Sequence, residues 1–478
     1  MSRGPRTTST GIPFPDWNLM NLLHTGLAAT ALVATSLAQI QPNDGIVGGM
    51  NSGNYALYRI PGLGTATPGA PTAITYSATL APRLNHFVID RANANLIATA
   101  TSATGGDVEV WRLDVQGNNA VEAQLTTLPG TAGLNVAGMH RDASGCILVL
   151  CNAGLFSPTF TVHRLAVTRS GALAVQVPIA NPANDALMAI ATTPAGQIVL
   201  GGKRAPYNAA APGVTHFVSM AGGTLSAGTP ITGFHVISAE TNSIGVPAFG
   251  LSPQTLPPTA NFMCGGTSYN FQYNTPPFTS LWLDIELNPA QTQFVLAGNG
   301  GGALGVGVLI RIGAVGCVAG TPSTPIYFPH GLNQVAIAFP SKKYGCGCPP
   351  SNGVLPKIDE VTPPTLGLPW QITLTDGVPL STAMLVSGRT DTGYLGNPLP
   401  IPLSQTAFNG QASCFLLNSA QFVYPVQSTD ASGRVTHTRV IPNSAALLGT
   451  KVFSEWLVYE TTGGVPPFST AGLASVVQ

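Results

Sequence analysis

A recurring turn-and-strand unit constrains the fold of this chain more than any other feature. One copy is Arg141–Asn152, in which a polar turn closed by Gly145 precedes an apolar run typical of a buried β-strand. The unit returns at intervals of about 50 residues, or about twice that, with its first strand hydrophobes at Leu96, Ile147, Ile198 and Phe294. A repeat of this length that is made of strands and turns predicts a β-propeller.

The predicted innermost strands of the blades are also evenly spaced. They begin near Phe87, Val136, Leu187, Val236, Leu283 and Val335, which predicts a six-bladed β-propeller over residues 45–340. The sixth repeat has room for only one strand before the composition changes at Ser341. Strand-forming segments within Gly45–Ser77 have no blade of their own, so we expect them to complete the sixth blade and close the ring.

The scarcity of charge limits the possible functions. Only 8% of the 478 residues are Asp, Glu, Lys or Arg, and the 19 basic and 19 acidic residues cancel. Binding to nucleic acid depends largely on Lys and Arg contacts to phosphate, so nucleic acid is not an expected partner. The chain has no phosphate-binding glycine loop, no Gly-x-Ser-x-Gly motif and no zinc-ligand spacing, and we therefore expect no cofactor and no metal.

The N-terminus predicts export. Residues 1–38 read as a secretory signal peptide, with the apolar stretch Thr25–Leu37 followed by a cleavage site before Gln39. That stretch is too short to span a bilayer, and we expect no transmembrane segment in the mature chain. The seven cysteines fit an oxidising compartment. Cys146 and Cys151 lie on one predicted strand and should point to opposite faces, so we expect them to be packing residues that do not bond each other.

The C-terminal quarter of the chain has a different composition. Residues 341–355, rich in Gly, Pro and Lys, are predicted to be a linker. Residues 356–478 contain six or seven short strand-forming runs, which predict an antiparallel β-sandwich.

Ordered short motifs in this region resemble a known domain. They are Tyr344-Gly-x-Gly-Cys348-Pro, Asn397-Pro-Leu-Pro, Ser413-Cys414-Phe-Leu-Leu, Ile441-Pro-Asn and Glu455-Trp-Leu-Val-Tyr. Together they resemble the C-terminal sandwich domain of exported proteins from planctomycete-type bacteria, often found behind a propeller. The resemblance implies export, a surface or matrix role and a disulfide between Cys348 and Cys414. The additional Cys346 departs from the pattern and leaves the pairing open by two residues.

Three side chains form the candidate catalytic group. Counting ten residues back from the first strand hydrophobe of each repeat gives His86, Ala137, Met188 and Asp284, so an imidazole and a carboxylate take equivalent places at the predicted channel mouth. Strand alternation puts Glu286 on the same face as Asp284. Such groups could form an acid–base or metal site, or they could fill the channel as paired, hydrogen-bonded residues. The other histidines near blade starts are expected to be hydrogen-bonded loop residues: His140, His235 and His330.

A candidate ligand-binding platform lies in a run where aromatic and amide residues alternate. Tyr269, Phe271 and Tyr273 would share one face of a strand, where they could stack on sugar rings if exposed or pack within the blade if buried. The sequence favours a non-catalytic binding or structural protein, secreted or at the cell surface, that recognises neutral glycans or protein partners. The alternative is a propeller hydrolase or lactonase with its site at the channel mouth.

Overall fold

The computed structural model of this chain is built almost wholly from β-strands. It describes residues 39–478 except 91–94, 143, 155, 208–210, 233, 242–246, 254–260, 265–266, 271–280, 291, 301–305, 314–322, 324–325, 339–341, 351–352 and 461–465. Within these residues the helical elements are two short 3-10 helices, Leu403–Gln405 and Ala445–Leu447. The described residues lie within one compact unit, Ala38–Gln478.

Most strands before residue 338 are grouped in four-stranded antiparallel sheets. In chain order the strands are β1 (Gly45–Asn51), β2 (Asn54–Ile60), β3 (Thr72–Ile74), β4 (Leu84–Asp90), β5 (Asn95–Ala100), β6 (Glu109–Gln116), β7 (Asn119–Thr127), β8 (Asn135–Arg141), β9 (Ile147–Asn152), β10 (Phe160–Val167), β11 (Ala172–Val177), β12 (Ile179–Ala180), β13 (Ala186–Thr192), β14 (Gln197–Lys203), β15 (Gly213–Ser219), β16 (Gly223–Thr224), β17 (Thr229–Ile231), β18 (Phe234–Thr241), β19 (Pro247–Pro253), β20 (Asn261–Cys264), β21 (Thr267–Asn270), β22 (Leu281–Leu287), β23 (Gln293–Gly300), β24 (Val306–Gly313), β25 (Ile326–Phe328) and β26 (Gln334–Ile337).

The described strands give six such sheets, named here by their order around the molecule. Sheet 1 is β4-β5-β6-β7, sheet 2 is β8-β9-β10-β11, sheet 3 is β13-β14-β15-β17, sheet 4 is β18-β19-β20-β21, sheet 5 is β22-β23-β24-β25 and sheet 6 is β26-β1-β2-β3. The first strand of each sheet contacts the first strand of the next, and β26 of sheet 6 contacts β4 of sheet 1. Sheets arranged radially in this way form a β-propeller. The all-β architecture and the propeller fold expected from the repeat are confirmed.

Sheet 6 joins the two ends of the propeller region. Gly45–Gly48 of β1 pairs antiparallel with Gln334–Ile337 of β26. This agrees with the prediction that strands within Gly45–Ser77 complete the last sheet. The side chain of Gln334 then connects this sheet to sheet 1. Its amide oxygen accepts a hydrogen bond from the Phe87 N–H at 2.8 Å, and its amide nitrogen donates to the Phe87 carbonyl at 2.6 Å. The side-chain amide of this buried glutamine therefore satisfies both main-chain groups of Phe87, as the backbone of a neighbouring β-strand would.

The repeated turn is stabilised by its own polar residues. The carboxylate of Asp142 accepts hydrogen bonds from the Cys146 N–H at 2.8 Å and the Ser144 hydroxyl at 2.7 Å. Gly145 has a φ of 99°, and a Cβ at this position would lie 3.0 Å from the backbone of Tyr344. A side chain is excluded there both by the left-handed backbone and by the close approach of the C-terminal region.

The C-terminal region contains the remaining strands. They are β27 (Lys343–Tyr344), β28 (Lys357–Thr362), β29 (Pro369–Thr375), β30 (Thr382–Gly388), β31 (Gly393–Tyr394), β32 (Asn397–Pro398), β33 (Ile401–Pro402), β34 (Phe415–Leu416), β35 (Phe422–Val423), β36 (Gln427–Ser428), β37 (Val435–Val440), β38 (Lys451–Tyr459), β39 (Phe468–Ser469) and β40 (Gly472–Val476). A seven-stranded sheet runs β27-β40-β38-β30-β35, with β36 paired to β30 and β39 to β38, and a three-stranded sheet runs β28-β29-β37. Residues of both sheets, including Ile372, Leu385 and Trp456, share one hydrophobic core.

The propeller and the C-terminal region share a second apolar core. It unites buried residues of sheets 2 and 3, such as Leu148 and Leu200, with Tyr344 and Phe415. The buried Arg164 guanidinium donates to the Gly347 carbonyl at 3.1 Å across this boundary. Several residues of the predicted linker 341–355 are therefore core residues.

One disulfide crosses this boundary. The structure contains a disulfide between Cys146 and Cys346, and another between Cys348 and Cys414, the pair that the resemblance implies. The expectation that Cys146 is only a packing residue is wrong, because it lies just before β9, where it meets the C-terminal region. Cys151 is a free, buried thiol. The disulfides indicate an oxidising environment. No helix in the described part of the chain is long and apolar enough to cross a bilayer.

Candidate functional site

A β-bulge repeated from sheet to sheet positions the residues around the central axis. In sheets 1 to 5, the first strand carries one extra residue at the same place: Asn85, Ala137, Met188, Ile237 and Leu283. The residues immediately after the bulge are His86, Gly138, Ala189, Ser238 and Asp284. His86 and Asp284 are therefore equivalent, as the sequence predicts. Ala137 and Met188 are not their equivalents, since the turns of sheets 2 and 3 are one residue shorter.

These bulges surround a small central cavity. His86, Asp284 and Glu286 all line it, so the structure brings the three candidate catalytic residues to one place. The cavity has a volume of about 20 Å³, which is room for about one water molecule. Pockets that bind organic ligands are usually about 300–1,000 Å³, so this cavity is too small for a sugar or a lactone ring.

Asp284 is held in its neutral form at neutral pH. Burial raises the pKa of this carboxyl to about 8, against the hydrogen bonds from the main chain that favour the ionised form. One of these comes from the Val335 N–H to the Asp284 Oδ2 at 2.9 Å. Asp284 of sheet 5 thereby pairs with the first strand of sheet 6, which gives the carboxyl a structural role in the ring.

His86 is neutral for the same physical reason. Burial lowers the pKa of its imidazole to about 4, and its Nδ1 atom has no hydrogen-bond partner within the described structure. A neutral imidazole and a protonated carboxyl line the same cavity, and they hold the correct protonation states for a base and an acid. Their protonation states would allow acid–base chemistry, but the small volume of the cavity excludes an organic substrate.

The sequence analysis missed a second polar pair, His140 and Glu240, of which His140 lines the cavity. His140 is expected to be a loop histidine, but it lies in β8, lines the cavity and hydrogen-bonds to the Thr192 hydroxyl at 2.9 Å. Its other ring nitrogen lies 3.8 Å from the buried carboxylate of Glu240 on β18. These two residues share a repeat position, because each lies two residues after the residue that follows the bulge, Gly138 in sheet 2 and Ser238 in sheet 4. Within the described residues, no group of three or more His, Cys, Asp or Glu side chains could hold a metal ion.

The other predicted site residues have different outcomes. Phe271, Tyr273 and the side chains of Tyr269 and His235 lie outside the described residues. His330 lies in a loop, but the prediction that it is hydrogen-bonded is wrong: it is buried, stacks on Tyr58 at 5.3 Å, and neither ring nitrogen has a hydrogen-bond partner in the described structure.

A larger groove lies between sheets 3 and 4, away from the central axis. Its volume is about 470 Å³, and its described lining consists of apolar residues and threonines. Phe217 of β15 is 40% exposed, whereas Phe249 and Leu251 of β19 are buried. Pro230 of β17 and Pro247 of β19 also line it. The size fits an organic ligand, and the lining residues that the structure describes offer rings and hydroxyls without a charged group.

Comparisons with known proteins show distant similarity of structure only. No protein-family model matches the chain, and no curated protein matches it. The hydrazine synthase of Kuenenia stuttgartiensis superposes with a TM-score of 0.38 and 9% identity, over 92% of this chain and 68% of that one. A putative 6-phosphogluconolactonase from Bacteroides uniformis gives 0.37 and 13%, over 70% and 92%. The β-propeller domain of the Trilobed protease from Pyrococcus furiosus gives 0.31 and 7%, over 71% and 93%. No activity follows from these similarities.

Proposed function

We propose that this chain is an exported, non-catalytic binding protein of the cell surface or extracellular matrix, and that its ligand is a neutral glycan. The observation that carries the proposal is the contrast between the two concave sites. The cavity that contains the acid–base residues holds about one water molecule, whereas the groove between sheets 3 and 4 has about 470 Å³ and no charge on its described lining. Sugars bind through stacking on rings and hydrogen bonds to hydroxyls, which need no charge.

The proposed organisation follows the sequence. Residues 1–38 are a signal peptide, 45–340 a six-bladed β-propeller closed by N-terminal strands, 341–355 a connecting segment and 356–478 an antiparallel β-sandwich. The six four-stranded sheets and their ring of contacts support the blade count, and the shared core of the two C-terminal sheets supports the sandwich. The two disulfides support export.

A glycan array with the Phe217→Ala variant tests the ligand class. Phe217 is the most exposed ring in the described groove wall. Its loss should weaken binding of a neutral glycan by about fivefold or more, since stacking on such a ring contributes about 1 kcal/mol or more. Tyr327→Ala is the matched control, because this exposed aromatic residue of sheet 5 lies outside the groove. Equal binding by all three proteins, or binding of charged glycans alone, would reject the groove as the glycan site. Binding to a protein partner that also needs Phe217 would reject the glycan but keep the binding role.

The second candidate function is that of a hydrolase or lactonase acting at the channel mouth. It is favoured by the neutral His86 and the protonated Asp284 beside one cavity. A screen of lactones and esters with the wild type, His86→Ala and Asp284→Asn tests it. Turnover that both substitutions abolish would establish this function in place of the first.

A further inference from the structure

The two edge strands of the three-stranded C-terminal sheet differ in how they are protected. Strand β28 carries Lys357, Asp359 and Glu360 and has a bulge after Glu360. Charges and bulges are the usual features that prevent an edge strand from pairing with another chain. Strand β37, Val435-Thr-His-Thr-Arg-Val440, pairs with β29 in continuous register and has a single charge, Arg439. One edge of this sheet is blocked, and the other is not.

The hydrogen-bonding groups on the open edge can be assigned from the ladder. The Ile441 N–H donates to the Leu368 carbonyl, and antiparallel hydrogen bonding alternates along a strand. The main-chain groups of Val435, His437 and Arg439 therefore point toward β29. Those of Thr436, Thr438 and Val440 point away from it, and in the described structure no backbone hydrogen bond reaches them from that side.

This edge is also apolar beyond the strand itself. Val440 is 59% exposed, and Val423 and Val426, on the neighbouring edge of the larger sheet, are 53% and 57% exposed. The two edges lie side by side, because Tyr424 contacts His437, with ring centroids 4.4 Å apart, and accepts a hydrogen bond from Arg439. Exposed valines along an open edge are typical of an interaction surface.

We propose that β37 pairs antiparallel with β37 of a second copy of this chain, on a two-fold axis through Thr438. Only residues whose main-chain groups point outward can face each other as hydrogen-bonded pairs. With the axis at the middle one of these three residues, Thr438 lies opposite Thr438 of the second copy and Thr436 lies opposite Val440. This register uses all three outward residues of each strand. It makes isologous pairs of β-branched side chains and sets Arg439 opposite His437, so no like carboxylates or guanidinium groups oppose each other.

The pairing predicts a cross-link that depends on register. Residues in a hydrogen-bonded antiparallel pair have Cα atoms about 5.5 Å apart, within the range that a disulfide spans. Thr438→Cys in the full chain should therefore form an intermolecular disulfide under mild oxidation. The control, Thr436→Cys, lies on the same exposed edge but faces Val440 and should stay monomeric on a non-reducing gel. The native free thiol does not compete, because Cys151 is fully buried.

Sedimentation velocity of the unmodified protein provides the second arm. At concentrations up to about 0.2 mM, the wild type should form a dimer, with a Kd in the micromolar range of about 10–100 μM. Thr438→Pro removes an outward N–H that β29 does not use, and should weaken dimerisation at least about tenfold. Thr438→Lys, which brings two like charges together on the axis, should also weaken it and serves if the proline variant does not fold. A monomeric wild type, or equal cross-linking of both cysteine variants, would overturn the proposal.

Discussion

The closure of the ring by Gln334 gives the sharpest stability prediction. The side chain is 2% exposed and makes two hydrogen bonds to Phe87, across the boundary between the last sheet and the first. Gln334→Leu removes both partners and leaves one buried N–H and one buried carbonyl unsatisfied. Each such group costs about 1–3 kcal/mol, so the free energy of unfolding should fall by about 2–6 kcal/mol.

Chemical denaturation and hydrogen exchange together measure this effect. The unfolding midpoint should fall, and the Phe87 amide should lose protection from exchange, because its acceptor is gone. The control is Gln176→Leu on β11, where the same change of side chain is made at an exposed position. If Gln334→Leu unfolds at the wild-type denaturant concentration, or if Gln176→Leu costs as much, the amide does not hold the ring closed.

Two further predictions concern buried groups. Because burial raises the pKa of Asp284 from 3.8 to about 8, the folded state binds more protons than the unfolded state between these values, and wild-type stability should fall as pH rises through this window. Asp284→Asn keeps an acceptor for the Val335 N–H and should be more stable than the wild type. The difference in stability should grow by on the order of 1 kcal/mol per pH unit up to about pH 8. Thermal melts from pH 4 to 9 measure it, and melting temperatures that change in parallel for the two proteins would contradict this prediction. The paired change Cys146→Ala and Cys346→Ala opens a covalent loop with a sequence separation of 200 residues and should lower the free energy of unfolding by about 2–5 kcal/mol in denaturant titrations. Cys151→Ala, which breaks no disulfide, is the control. If the paired variant keeps the wild-type free energy of unfolding while Cys151→Ala lowers it, the disulfide does not stabilise the fold.

The repeat pattern was sufficient to predict the fold class because each unit is local. A polar turn such as Asp142–Gly145 and the apolar strand after it carry their own hydrogen-bonding and burial requirements, and sheets of this kind have few ways to bury their faces. The same argument explains why the segment before the first full repeat was expected to pair with Gln334–Ile337, since an unpaired strand at each end of a ring leaves two open edges.

The site was predictable only where it follows the repeat. His86 and Asp284 share one repeat position, so the sequence could align them, but the position came out one residue off in sheets 2 and 3, where the turns are shorter. His140 and Glu240 also share a repeat position, two residues after Gly138 and Ser238, but their contact could not be predicted because it depends on how sheets 2 and 4 approach each other. The size of the central cavity was also unpredictable, since it depends on how closely the bulged strands approach the axis.

The sequence by itself determined the class of fold, the low charge and the residues available to any site. Tertiary structure alone decided that Cys146 bonds Cys346, that the predicted linker is partly buried and that the acid–base residues surround a cavity of about one water molecule. The physical reason is the range of the interactions. Turns and strand alternation are fixed by neighbours along the chain, whereas a disulfide, a shared core and a cavity depend on distances between residues that the chain brings together only when the ring closes.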